Sequence, residues 1–391
     1  MKDLLISQKS VAELSERIGK SEETFCSGLF LSARWFVVSQ VSRPGINFVV
    51  LPDRDSAEYC TSDLYDLVDG DRVFFLPDSG RKMEKSNYKS SLSVQRTSSI
   101  GKLMEYDGDS QIFFVTYPEA LEEAVAGGGA ASVLKMREGD EYDREKLTEK
   151  LFTMGFTRVD FVSEPGQFAV RGALIDIFSY SFNNPYRISF FGDEVDGISV
   201  FDCNTQLSKE KLSEVEVFAD LSAEGGSDAS AVPVTDLLPE GALVWLDSSD
   251  MYKDRDFFAG LLKFRRVFLE VPVSASGVVP VTFNIAPQPV FNKNFELLTE
   301  DIREKILAGY RVCIYGEKRS QLERLESILM QNEGYMPEFI PSHSIHSGFI
   351  DKEDKVCCYT DHEIFDRFHR VSLRRTVEKS EQLTINDLTS F

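Results

Sequence analysis

Two stretches of the chain carry part of the residue pattern of nucleotide chemistry, and both are incomplete. Gly28-Leu29-Phe30-Leu31-Ser32-Ala33-Arg34-Trp35 precedes an apolar, helix-like run, where a phosphate-binding loop would stand. The working frame, G-x-x-x-x-G-K-S/T, needs glycines for close backbone approach, a lysine for the β- and γ-phosphates and a hydroxyl for magnesium. Here Ala33 replaces the second glycine, Arg34 the lysine and Trp35 the hydroxyl. Arg34 keeps a charge without the compact point-charge geometry of lysine, and Trp35 cannot ligate a metal. On their own, these residues read as a loop-to-helix junction. Leu243-Val244-Trp245-Leu246-Asp247-Ser248 has the form of a strand ending in a metal-binding Asp-Glu pair, with Ser248 where the second acid belongs. Two broken halves of one machine predict no hydrolysis in this chain.

Other chemistry-bearing residues point to less. His343, His346, Cys357, Cys358 and His362 invite a zinc reading. Adjacent cysteines are not C-x2-C, and the gap between His343 and His346 is shorter than the usual spacing. Surface histidines and buried thiols are expected instead. All four histidines lie beyond residue 342, which leaves no basis for a Ser/His/Asp or Cys/His triad. The cluster Val371-Ser372-Leu373-Arg374-Arg375 reads as a solvated connector, and Asp53–Asp55 and Glu138–Glu145 as solvent faces.

The elements that would position these residues fall into three blocks. The first, to about Ala124, begins with a helical stretch near Val11–Ile18. Asn47–Leu51, Val73–Leu76 and Gln111–Val115 read as buried strands with helical spacers, the rhythm of a parallel α/β sheet. It ends in the small-residue stretch Ala124–Ala131, a hinge or domain seam. In the second block, Ser132 to about Phe218, a charged helix over Asp143–Met154 precedes alternating runs at Gly166–Arg171, Ala173–Phe178, Tyr186–Phe191 and Val195–Phe201. That is a small antiparallel sheet. After linker-like stretches at Leu221–Gly226 and Val232–Gly241, the third block returns to α/β character. Its strands are Leu243–Leu246, Arg266–Glu270 and Arg311–Tyr315, and its helices Phe295–Leu307 and Gln321–Met330. The expected limits are 1–124, 132–218 and 219–365, with 366–391 as a connector. That polar tail reads as the end of a piece cut from a longer protein.

Composition narrows the partners. With 64 acidic and 43 basic side chains the net charge is −21, so tight DNA binding by the whole chain is not expected. Protein partners are the better guess. The N-terminus has no signal pattern and no apolar run is long enough to span a bilayer, which predicts a cytoplasmic protein without membrane contact. Six scattered cysteines fit reduced thiols.

The strand Tyr186–Phe191 offers a surface. Alternation sends Tyr186, Ile188 and Phe190 to one side and Arg187, Ser189 and Phe191 to the other. On the neighbouring run Phe168 and Val170 form an apolar face, with Ala169 and Arg171 opposite. Two arginines beside an exposed aromatic is the composition of an interface hot spot. The alternative places Phe191 in the core and pairs both arginines with Asp193, Glu194 or Asp196. Taken without further information, the residues favour that alternative.

The central block also carries a resemblance. Gly155–Asp160, Pro165–Gly172, Ile175–Phe178, Arg187–Asp196 and Phe201-Asp202 occur in the order of the bacterial nucleotide-excision-repair module shared by UvrB and the transcription-repair coupling factors. The losses at Ala33, Arg34, Trp35 and Ser248 favour the coupling-factor branch, whose N-terminal region is similar to UvrB with decayed nucleotide motifs. Asn292–Leu298 and Tyr359–Phe365 also resemble that family, whereas Arg81–Gln95 resembles it weakly. The resemblance implies a degenerate helicase domain, a parallel sheet with flanking helices, split by an inserted α+β domain. It further implies that UvrA is contacted by Arg171, Arg187 and Phe191, which reverses the preference stated above. ATP, magnesium, RNA polymerase and double-stranded DNA would engage only downstream domains of the full-length protein, whose C-terminal part would mask the UvrA face. No cofactor is expected here. The competing function is a UvrB-like ATPase that processes damaged DNA, and a third is a direct damage binder.

Overall fold

A computed structural model describes residues 4–41, 43–68, 70–80, 86–104, 106, 108, 110–126, 133–180, 184–203, 205–219, 221, 231–330, 335–341 and 343–367. These fall into two compact units, one of residues 1–74, 108–115 and 240–391, the other of 75–107 and 116–239. Most of the glycine-rich seam, residues 222–230 of the linker, and the tail from 368 with its basic cluster lie outside the described residues.

The first unit is built on a seven-stranded sheet. Its order is Val281–Thr282, Glu23–Ser27, Arg265–Phe268, Leu243–Leu246, Gly45–Val50, Gln111–Thr116 and Val73–Phe75. Leu243 lies opposite Asn47 on one side and Arg265 on the other, both in parallel register. Segments from both flanks of the inserted region therefore interleave in one sheet. The runs at Gly45–Val50 and Leu243–Leu246 are buried almost throughout, as strands covered on both faces must be. Their single polar intrusion is satisfied, because the Trp245 indole donates to Asn47 Oδ1 at 3.0 Å. A second sheet of the same unit runs Ile285–Pro287, Phe349–Asp351, Val356–Thr360, Arg311–Gly316 and Glu338–Pro341. Helices Phe295–Leu307 and Arg319–Leu329 pack Leu298, Ile302, Leu322 and Leu325 against Val312, Ile314 and Tyr359.

One helix of this unit takes its cap from the far end of the sequence. Gln8–Lys20 begins with Ser7 in the left-handed region (φ 47°) and has no local side-chain cap. Asp351 Oδ2 accepts from Ser7 N at 2.7 Å, Asp354 from Gln8 N at 2.9 Å and Glu353 from Lys9 N at 2.9 Å. Three carboxylates thus meet the bare N–H groups and the positive end of the helix dipole. Asp351→Ala is expected to cost about 2 kcal/mol, read as a lower urea midpoint with unchanged slope.

The second unit contains the insert. Its six-stranded sheet runs Ser208–Leu212, Glu194–Phe201, Tyr186–Phe191, Leu174–Ile177, Gln167–Arg171 and Thr157–Arg158. All neighbours pair antiparallel except the last two, which are parallel. Helix Arg144–Thr153, capped by the Asp143 carboxylate, covers one face. Leu147, Leu151, Phe168, Ile175, Ile177, Ile188 and Phe190 form the core there. The α/β architecture with an inserted antiparallel sheet is therefore present. Val232–Gly241 differs from its linker expectation. Ala231–Val232 pairs with Val125–Ala126, and Val234 and Leu238 are buried, because apolar side chains among the prolines found a core. Among the described residues no helix is long and apolar enough to cross a membrane.

Candidate functional site

The face of the insert sheet away from the helix holds the three residues singled out above. Strand alternation puts Asp176 on that face, opposite Ala169 on one neighbour and Arg187 on the other. Its side chain is 1% exposed, so its charge needs cations close by. Arg187 supplies one: Nε donates to Oδ1 at 2.8 Å and Nη2 to Oδ2 at 2.9 Å. Arg171 supplies the second, its Nη2 donating to the same Oδ2. Arg187 Nη1 donates to the carbonyl oxygen of Gln206 at 3.1 Å. The Asp176 contact holds the Arg187 pKa above the usual arginine value. Each guanidinium also faces a ring, Arg187 with Phe201 at 4.2 Å and Arg171 with Phe161 at 5.0 Å.

Phe191 lies at the end of its strand, beside the left-handed Gly192 (φ 66°) of the hairpin turn, and is 81% exposed. A small cluster of Val162, Ala169, Phe178 and Phe201 covers another part of this face and leaves that ring open. The arginines lie on the predicted face, Arg171 34% and Arg187 17% exposed, and the acid they pair with is Asp176 and not Asp193, Glu194 or Asp196. Asp176 and Phe201 figure in the sequence only within the family-like stretches Ile175–Phe178 and Phe201-Asp202, and Phe161 gives no signal there. A lone acid inside Leu174-Ile175-Asp176-Ile177, in register with Arg187, was the available signal.

In the first unit Gly28, at the start of the Gly28–Trp35 stretch, is backed by its own chain. Gly28, at φ 67°, has the Phe283 carbonyl oxygen 2.2 Å from where a Cβ would sit, and Phe283 N donates to Ser27 O at 2.8 Å. Ala33 begins the following helix. Arg34 Nη1 donates to both oxygens of Asp247 at 2.6 and 2.5 Å, so the two degenerate motifs meet in an ion pair. Burial pushes the Asp247 pKa up, and the Arg34 charge opposes that. Trp35 is buried, and the Ser32 hydroxyl accepts Ser347 N at 2.9 Å. The charged side chains that would meet phosphate and magnesium, Arg34 and Asp247, are paired with each other. These residues do not fit a magnesium nucleotide.

Of the histidines expected at the surface, His362 is buried and His346 half-buried, both held in packing contacts of the same unit. His346 N donates to Asp63 Oδ1 at 2.8 Å, the His346 ring stacks on Tyr59 at 3.5 Å, and His362 Nε2 bonds the His346 carbonyl at 3.0 Å. All six cysteines are free thiols, five of them buried.

Residues 134–221, the insert that bears the face of Arg171, Arg187 and Phe191, match the family model described as the UvrB interaction domain. Proteins named transcription-repair-coupling factor are its relatives. The Escherichia coli (strain K12) protein is 38% identical over 84 residues, 22% of this chain and 7% of that protein. The Myxococcus xanthus protein is 38% identical over 79 residues, 20% of this chain and 7% of that protein. The Bacillus subtilis (strain 168) protein is 27% identical over 199 residues, half of this chain and 17% of the relative. The resemblance to the N-terminal, UvrB-like region of coupling factors is thereby borne out. The alignments span 7% to 17% of these relatives' lengths.

Proposed function

We propose that this chain is a non-catalytic docking module that recruits UvrA during transcription-coupled nucleotide excision repair. One observation carries the proposal: within the segment matching the UvrB interaction domain, Phe191 stands 81% exposed on the sheet face that also carries Arg171 and Arg187, four residues along its strand from Arg187. Large exposed rings and arginines on one face are the material from which binding hot spots are made. Phe191→Ala is expected to weaken binding to purified UvrA about 30-fold or more, with circular dichroism unchanged. Wild-type affinity in that variant would sink the proposal. The Arg34–Asp247 pair supports the non-catalytic half, and no ATP turnover is expected from the chain. RNA polymerase, double-stranded DNA, and ATP with magnesium belong, on this proposal, to other parts of the full-length protein. Its C-terminal part would mask the UvrA face, so this chain should bind UvrA more strongly than the full-length protein does.

A further inference from the structure

The two arginines of the docking face differ in what they still have to offer. Arg187 has Nε, Nη1 and Nη2 all donating, to Asp176 and to the Gln206 carbonyl, and its side chain is 17% exposed. Arg171 is 34% exposed, and Asp176 is its one acceptor among the described residues, reached through Nη2. Its Nε and Nη1 hydrogens are therefore uncommitted there. Two guanidiniums also share one carboxylate, which leaves one positive charge in excess on a chain whose net charge is −21. Phe161, itself 62% exposed, covers one side of the Arg171 plane, so an acceptor must approach in the plane, where guanidinium hydrogen bonds are strongest. We infer that Arg171 receives a carboxylate of the docking partner, whereas Arg187 is a positioning residue that neutralises Asp176 and so holds Arg171 in place.

This assignment rests on the docking reading and sharpens it. If both arginines contacted the partner, they would respond alike; if Arg187 acts through Asp176, its loss must be felt in the free protein first. The test measures affinity for purified UvrA, its salt dependence, and the melting temperature of the free chain for Arg171→Gln, Arg187→Gln and the two lysine variants. Arg171→Gln is expected to weaken binding about tenfold or more and to flatten the salt dependence, with melting unchanged. Arg187→Gln is expected to lower the melting temperature by about 4 °C or more and to weaken binding while the salt dependence persists. Arg187→Lys restores both properties, because a point charge suffices beside Asp176; Arg171→Lys does not restore affinity. Equal salt responses of the two glutamine variants, or equal rescue by the two lysines, would overturn the assignment. Phe191→Ala separates the levels. If it binds as wild type, the docking reading falls; if it loses binding while Arg171→Gln keeps both affinity and salt dependence, only the division of labour falls.

Discussion

Arg34→Ala is expected to lower the stability of the first unit by about 3 kcal/mol, because it strands the Asp247 carboxylate in a buried site. Asp247 is 3% exposed, and its carboxyl is already pushed up by burial despite the cation beside it. Without Arg34 the acid must either stay charged without a partner or take up a proton. The destabilisation is a property of the pair and not of the arginine alone. Arg34→Met combined with Asp247→Leu should therefore recover most of the loss, since an apolar pair of similar volume avoids desolvating two charges. Urea unfolding of the single and double variants checks both statements. A double variant as unstable as Arg34→Ala would show that the guanidinium matters for packing on Trp35, whose ring lies 5.1 Å away, and not for neutralising Asp247.

That pair shows how far sequence alone reaches. The departures at Ala33, Arg34, Trp35 and Ser248 announce that the nucleotide motifs are broken, but the spacing gives no hint that Arg34 and Asp247 have turned to each other across 213 residues. In the insert the alternation of Tyr186–Phe191 placed its core and open sides as observed, because one face of that antiparallel sheet packs on a helix. The partner of Arg171 and Arg187 escaped for a related reason. Asp193, Glu194 and Asp196 are nearer to Arg187 in sequence than Asp176 is, and Asp176, five residues from Arg171 and eleven from Arg187, meets both only once neighbouring strands pair. Strand Glu23–Ser27 carries little signal of its own in the sequence. Its five residues, Glu-Thr-Phe-Cys-Ser, alternate too weakly to stand out, and parallel pairing on both sides supplies what its composition lacks.

A second large effect is expected at Asp63, whose environment makes the first unit less stable as pH rises. The carboxyl lies on helix Arg54–Leu67, fully buried, and Oδ1 accepts His346 N at 2.8 Å. Burial is the main force on its pKa, pushing it up to about 7, and nearby Asp66 adds to the shift; the Ser32 hydroxyl, the His346 N–H and Arg34 oppose it. The folded chain therefore holds a proton that the unfolded chain releases near the ordinary value of about 4. Stability from this group is complete below that value and is lost as pH rises to about 7, because in between the native state binds more protons than the unfolded one. His362 shifts the other way, its pKa lowered mainly by burial, so its neutral form is favoured and its contribution is lost as pH falls. Both trends are shared by wild type and an Asp63→Asn variant except for the Asp63 part. The stability difference between the two proteins should thus move in the variant's favour by about 3 kcal/mol from about pH 4 to about pH 8. Urea midpoints across that range read it directly. Parallel curves for the two proteins would mean that Asp63 is ionised in the folded chain throughout, and that Arg34 reaches it more strongly than burial does.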